Sequence, residues 1–182
     1  MNNKYELTDE TKNLCGITLH RIRALRDIPS VNVGPGDLGG WIEKESNLTQ
    51  YGDAIVSGDA MVYGDAKVSG NAAVYGNADV YGDAKVYGDA RVYGNALVCG
   101  DAEVKSIRDY AVFKNGWSSG RWFTYTRSNR MWRVGCFHGT GEELTAKAYK
   151  DSELSGKCYV AIVRAVETIE AAQAETKGEN ND

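Results

Sequence analysis

Between residues 54 and 104 the apolar positions recur with a period of six. Valine stands at Val56, Val62, Val68, Val74, Val80, Val86, Val92, Val98 and Val104, with an alanine two residues before each. Each alanine closes a Gly-Asx-Ala triplet, which occurs nine times from Gly52-Asp53-Ala54 to Gly100-Asp101-Ala102. A period of six fits neither a helix nor a simple alternating strand. It is the period of a hexapeptide β-helix, in which each hexad supplies one short strand and one corner. Three hexads close a triangular coil of 18 residues with valine and alanine inside. Glycine and Asx take the corner, where positive φ or a local side-chain hydrogen bond is needed. The residue after each valine points outward, and at five of the nine positions it is tyrosine.

The expected fold is therefore mainly β, a left-handed parallel β-helix of about four coils. Hexapeptide coils wind against the usual right-handed crossover rule. Gly40-Trp41-Ile42 and Ser46-Asn47-Leu48 fall in the Gly-Asx-Ala register, which starts the β-helix near residue 40. Arg108-Asp109-Tyr110-Ala111-Val112 resumes the pattern after a two-residue insertion and extends it to residue 113. Stacking by 18 gives one charged outer face (Lys67, Lys85, Glu103) and two mixed ones (Ile55, Ala73, Arg91; Met61, Asp79, Leu97). The two mixed faces, with their tyrosines, are the expected subunit contacts of a homo-oligomer, most simply a trimer.

The flanks read differently. Residues 1–39 form an N-terminal β cap, with strands at Tyr5-Glu6-Leu7 and Ile17 to Leu25, then a Pro/Gly-rich link from Asp27 to Gly40. Residues 114–172 hold a hairpin (Arg121 to Thr126, Met131 to Phe137) joined by the turn Arg127 to Arg130. Thr140-Gly141-Glu142-Glu143 is a capping box for a helix running to about Lys150. A second helix carries Tyr159, Ile162, Val163, Val166 and Ile169 on one face. Residues 173–182 are polar and expected to be a disordered tail.

Charge and composition narrow the function. The net charge of −4 argues against general DNA or RNA binding. The four cysteines make no CxxC pair, and no metal or cofactor is expected. The polar start has no apolar leader and no run is long enough to span a membrane, so a cytoplasmic protein is expected. One block departs from this picture. From Lys105 to His138 there are seven Lys or Arg residues against the single Asp109, interleaved with Trp117, Trp122, Phe123, Tyr125, Trp132 and Phe137. Arginine forks pair with phosphate oxygens, and aromatic faces stack on bases. Arg121, Tyr125, Arg127, Arg130 and Arg133 are the candidate binding residues for a small phosphorylated or nucleotide ligand. His138 and Thr140, ahead of a helix N-terminus, join them. The competing structural reading makes the block a cap whose arginines stack on tryptophans and pair with Glu142, Glu143 and Asp151.

Leu19 to Leu25 (LHRIRAL), Gly36 to Leu48 (GDLGGWIEKESNL) and Gly135 to Thr140 (GCFHGT) together resemble a family of phage and prophage hexapeptide-repeat proteins. The resemblance implies a phage product acting in the bacterial cytoplasm and supplies no settled activity. Hexapeptide acyltransferases use a histidine base in or beside their coils. Here only His20 and His138 exist, one in each flank, so a non-enzymatic role is expected. The two readings carried forward are an anti-defence sponge that sequesters an immune signal (a cyclic nucleotide or ADP-ribose derivative) and a β-helix scaffold.

Overall fold

The computed structural model describes residues 3–178, with side chains to residue 174. The chain opens with a hairpin, β1 (Tyr5–Leu14) and β2 (Ile17–Ala24), and β2 pairs antiparallel with β3 (Leu38–Ile42). Nine two-residue strands follow at the hexad period: β4 (Ile55–Val56), β5 (Met61–Val62), β6 (Lys67–Val68), β7 (Ala73–Val74), β8 (Asp79–Val80), β9 (Lys85–Val86), β10 (Arg91–Val92), β11 (Leu97–Val98) and β12 (Glu103–Val104). They stack in parallel as β4-β7-β10, β6-β9-β12 and β3-β5-β8-β11, the three sides of a β-solenoid of about four turns. Strand partners lie 18 residues apart, as in Val62↔Val80↔Val98. The valines and alanines are fully buried in one continuous stack.

The corner glycines from Gly52 to Gly100 all adopt left-handed φ, between 65° and 74°. At Gly70 an added Cβ would also stand 3.0 Å from the Gly88 amide nitrogen. Gly70→Ala should therefore cost about 2 kcal/mol in urea unfolding, from left-handed strain plus the squeezed coil spacing. A cost below about 0.5 kcal/mol would show that the corner relaxes freely.

The first coil departs from the extrapolated register. Ile42 pairs with Val62, and Leu48 bridges to Val68, an offset of 20 residues instead of 18. Ile42 and Leu48 thus fill valine slots and not the alanine slots assigned from the triplets. A branched side chain of their size needs the roomier strand position.

Parallel stacking leaves carbonyls unpaired at the first coil and amides unpaired at the last, and both ends are closed by side chains. At the first coil, Lys4 Nζ donates to Ala54 O, Tyr5 Oη to Leu48 O at 2.7 Å, and Arg26 Nη2 to Gly52 O at 2.7 Å. Burial drops the Lys4 ammonium to about 8. At the last coil, Leu97 N donates to Thr124 Oγ1 at 2.9 Å and Glu103 N to Ser128 Oγ at 2.7 Å. The N-terminal cap goes further than expected. Ile28, with Val31 and Val33, covers Ile55 and Ala73, so those two residues of a predicted contact face are buried within the chain itself.

The solenoid ends earlier than residue 113. Asp109 Oδ2 accepts from the amides of Lys105 and Ser106, both at 2.8 Å, and turns the chain out of the coil. β13 (Tyr110–Lys114) then joins an antiparallel sheet with β14 (Trp122–Thr126), β15 (Met131–Val134) and β16 (Phe137–Gly139). Phe123, Tyr125, Trp132 and Val134 face α1 (Gly141–Asp151) and α2 (Glu153–Gly178), and Leu144, Tyr159, Val163 and Val166 complete that second core. The expected tail at 173–178 is helical instead, because α2 runs through Ala-rich helix-forming sequence and Arg127 holds it at Glu170 and Gln173. Residues 179–182 lie outside the described residues. Among the described residues no helix is long and apolar enough to cross a membrane.

Candidate functional site

Three of the expected binding residues converge on one carboxylate. Tyr125 Oη donates to Glu170 Oε1 at 3.0 Å, Arg127 Nε donates to the same oxygen at 3.1 Å, and Arg130 Nη2 lies 3.9 Å from Oε2. Arg127 Nη2 also donates to Gln173 one turn further along α2. The Glu170 side chain is 17% exposed and Arg127 30%, whereas Arg130 is 81% exposed. Arg127 is therefore the principal partner and Arg130 a loose one. Burial and the Glu170 contact push the Tyr125 phenol up to about 12, so it stays a donor at neutral pH.

The contact divides two cavities that share Tyr125, Val166 and Glu170. One, of about 260 Å³, lies toward Ile107, Arg108, Tyr110, Arg127 and Ile169. The other, of about 480 Å³, lies toward Arg130, Trp132, Thr140, Glu142 and Glu167. Tyr125 and Glu170 line both cavities, Arg127 lines the first and Arg130 the second.

The remaining expected residues lie elsewhere. Thr124↔Arg133 and Tyr125↔Trp132 are cross-strand pairs, and directly opposed residues share a face. Arg133 is thus on the solenoid side of the sheet and Tyr125 on the helix side, so the expected grouping of Arg121, Tyr125 and Arg133 does not form. Arg133 lies 5.7 Å over the Tyr81 ring and donates from Nη1 to Cys136 O at 3.3 Å, while its Nε is buried without a partner. His138 packs on the Gly100 corner beside Asp101. Arg121 packs against Gly135. Thr140 is spent on its own helix, its Oγ1 accepting from Glu143 N at 3.2 Å while Glu143 Oε2 accepts from Thr140 N at 2.8 Å. With Glu142 beside it, the α1 N-terminus is already supplied with acidic groups. Neither Glu142, Glu143 nor Asp151 is the arginine partner. Glu170 is, and the sequence reading missed it, along with Ile107 and Tyr110.

On the solenoid face under Arg133, Tyr63 and Tyr81 stack with ring centroids 5.0 Å apart. Asp79 sits in the same strand layer, and burial raises its carboxyl to about 6, with Lys12 only partly offsetting the effect. A raised folded-state pKa makes the neutral form the stabilising one. Its contribution is complete below the ordinary value of 3.8 and is lost as pH rises through about 6. Asp79→Asn should therefore melt higher than the unaltered protein at pH 7, and the gap should close by about pH 4. Equal melting at both pH values would mean that water reaches this carboxylate freely.

The end-capped prism and its C-terminal lobe define a β-solenoid protein. A family model described as YdcK Beta solenoid repeat matches residues 84–100, the stretch that carries β9, β10 and β11. No curated protein matches the chain.

Proposed function

We propose that this chain is a non-enzymatic binding protein that captures a small phosphorylated or nucleotide ligand at the Glu170 cleft. The observation that supports it is the convergence of Tyr125, Arg127 and Arg130 on a single carboxylate flanked by open space on both sides. Donors that hold an internal carboxylate suit a phosphate at least as well, since phosphate offers more charge and more acceptor oxygens. The resemblance to phage hexapeptide-repeat proteins makes the bacterial cytoplasm the proposed compartment. It also makes a cyclic nucleotide or ADP-ribose immune signal the first ligand class to try, held stoichiometrically as a sponge. The protein would act as a homo-oligomer, most simply a trimer, using solenoid surface left uncovered by its own N-terminal segment.

Purified protein examined by native mass spectrometry should retain, or take up from a nucleotide panel that includes AMP, one small ligand per chain. Arg127→Ala should remove that capture. Failure of the whole panel to bind at millimolar concentration would sink the reading. A scaffold role is the second reading, favoured by the closure of both solenoid ends, which makes a rigid spacer of fixed length. Light scattering that gives a monomer at high micromolar concentration would remove the oligomer from either reading.

A further inference from the structure

We infer that the ligand carries a planar aromatic ring in addition to its anionic group, and that the ring sits in a separate cavity walled by Tyr93, Tyr110 and Trp122. This rests on the Glu170 cleft being the anion site. The ring cavity measures about 380 Å³ and is lined by Tyr93, Ile107, Tyr110, Val112 and Trp122, with Gly94 and Asn95. It shares Ile107 and Tyr110 with the cavity beside Arg127. Val112 and Trp122 face the solenoid side of the sheet while Ala111 and Tyr125 face the helix side, so the two cavities meet around the edge strand β13.

The volumes separate two kinds of ligand. Small-molecule sites usually run from about 300 to 1,000 Å³. The space beside Arg127 falls below that range and suits an anionic group alone, whereas the aromatic cavity falls within it. A ligand anchored at Arg127 would reach the aromatic cavity by wrapping past Ile107 at the edge of β13.

Its walls are largely aromatic. Tyr110 Oη is committed to Arg91 O at 2.9 Å, which leaves the ring and not the hydroxyl toward the cavity. Tyr93 is backed by Tyr75 in a stack 5.3 Å deep, yet remains 40% exposed. Lys114 Nζ lies 5.4 Å from the Trp122 ring centroid. None of the cavity's lining side chains is charged, while Arg108, beside the shared Ile107, lines the neighbouring cavity and is exposed. Stacking on such rings tolerates any base, because every base offers a π-face.

The test compares AMP with ribose 5-phosphate by titration calorimetry, since the two differ only by the ring. AMP should bind at least about tenfold tighter, in keeping with the usual gain from one base–aromatic stack. Tyr93→Ser should bring AMP down to the affinity of ribose 5-phosphate and leave ribose 5-phosphate unchanged, and Tyr93→Phe should restore the difference. Equal affinities in the unaltered protein would overturn the ring cavity while the anion site stands. So would an AMP preference that survives Tyr93→Ser, or a Tyr93→Ser change that weakens both compounds alike. Binding of neither compound would overturn the anion site and the ring cavity together.

Discussion

Val80→Asp should unfold the protein, or lower its melting temperature by more than about 10 °C. Val80 is fully buried and sits between Val62 and Val98 at mid-height of the prism. Removing it forfeits about 1.5–3 kcal/mol of burial. The new carboxylate has only apolar side chains around it, which adds several kcal/mol more. That sum takes most of the roughly 5–15 kcal/mol that holds an ordinary domain together. Lys67→Ser, on the outer charged side, is the control. Lys67 is exposed and should shift stability by no more than about 0.5 kcal/mol. Circular dichroism melts of the two variants decide the matter, and similar curves would be incompatible with a valine core in this register.

Arg127→Ala and Glu170→Gln should move AMP binding in opposite directions. Losing Arg127 removes a charged donor whose hydrogen bonds are each worth about 1.5–3 kcal/mol, so affinity should fall by about 10- to 100-fold or more. Neutralising Glu170 removes the carboxylate that competes for the same donors, so affinity should rise. The Arg127–Glu170 pair is mostly buried, so Arg127→Ala leaves the Glu170 carboxylate short of a partner and should also lower the melting temperature. Glu170→Gln keeps an acceptor in place. Melts recorded beside the calorimetry separate lost binding from lost folding. Arg133→Ala, on the far side of the sheet, should leave AMP binding unaltered. Calorimetry in which Glu170→Gln binds more weakly than the unaltered protein would mean that Glu170 supports the site instead of occupying it.

The strict part of the repeat was legible because each hexad reports its own geometry. Valine, alanine and glycine occupy positions that tolerate little else, and the same three slots recur nine times. The first coil was harder, since Ile42 and Leu48 match the triplet phase by count but the valine slots by size. Val112 misled for a related reason: its apolar side chain packs against the solenoid core although its strand belongs to the next sheet. Glu170 left a trace that could have been followed. Val163, Val166 and Glu170 occupy one helical stripe at i, i+3 and i+7, and a lone acid on an apolar stripe needs a buried partner. What the sequence could not supply was which face of the sheet each arginine takes. That depends on the pairing of Thr124 with Arg133, a register set by the four-residue turn between the strands.

The side-chain closure of both ends has a consequence for the length of the molecule. The first coil offers carbonyls to Lys4, Tyr5 and Arg26, the last offers amides to Thr124 and Ser128, and every coil between them presents the same pair of surfaces. The caps therefore recognise a coil end and not a coil number. Duplicating residues 71–88, one full turn of the repeat, should give a folded protein longer by one strand spacing, about 4.8 Å. The C-terminal lobe would keep its orientation. Duplicating only six residues would instead present each cap with the wrong side of the triangle. The chain is in this sense a ruler graduated in whole turns.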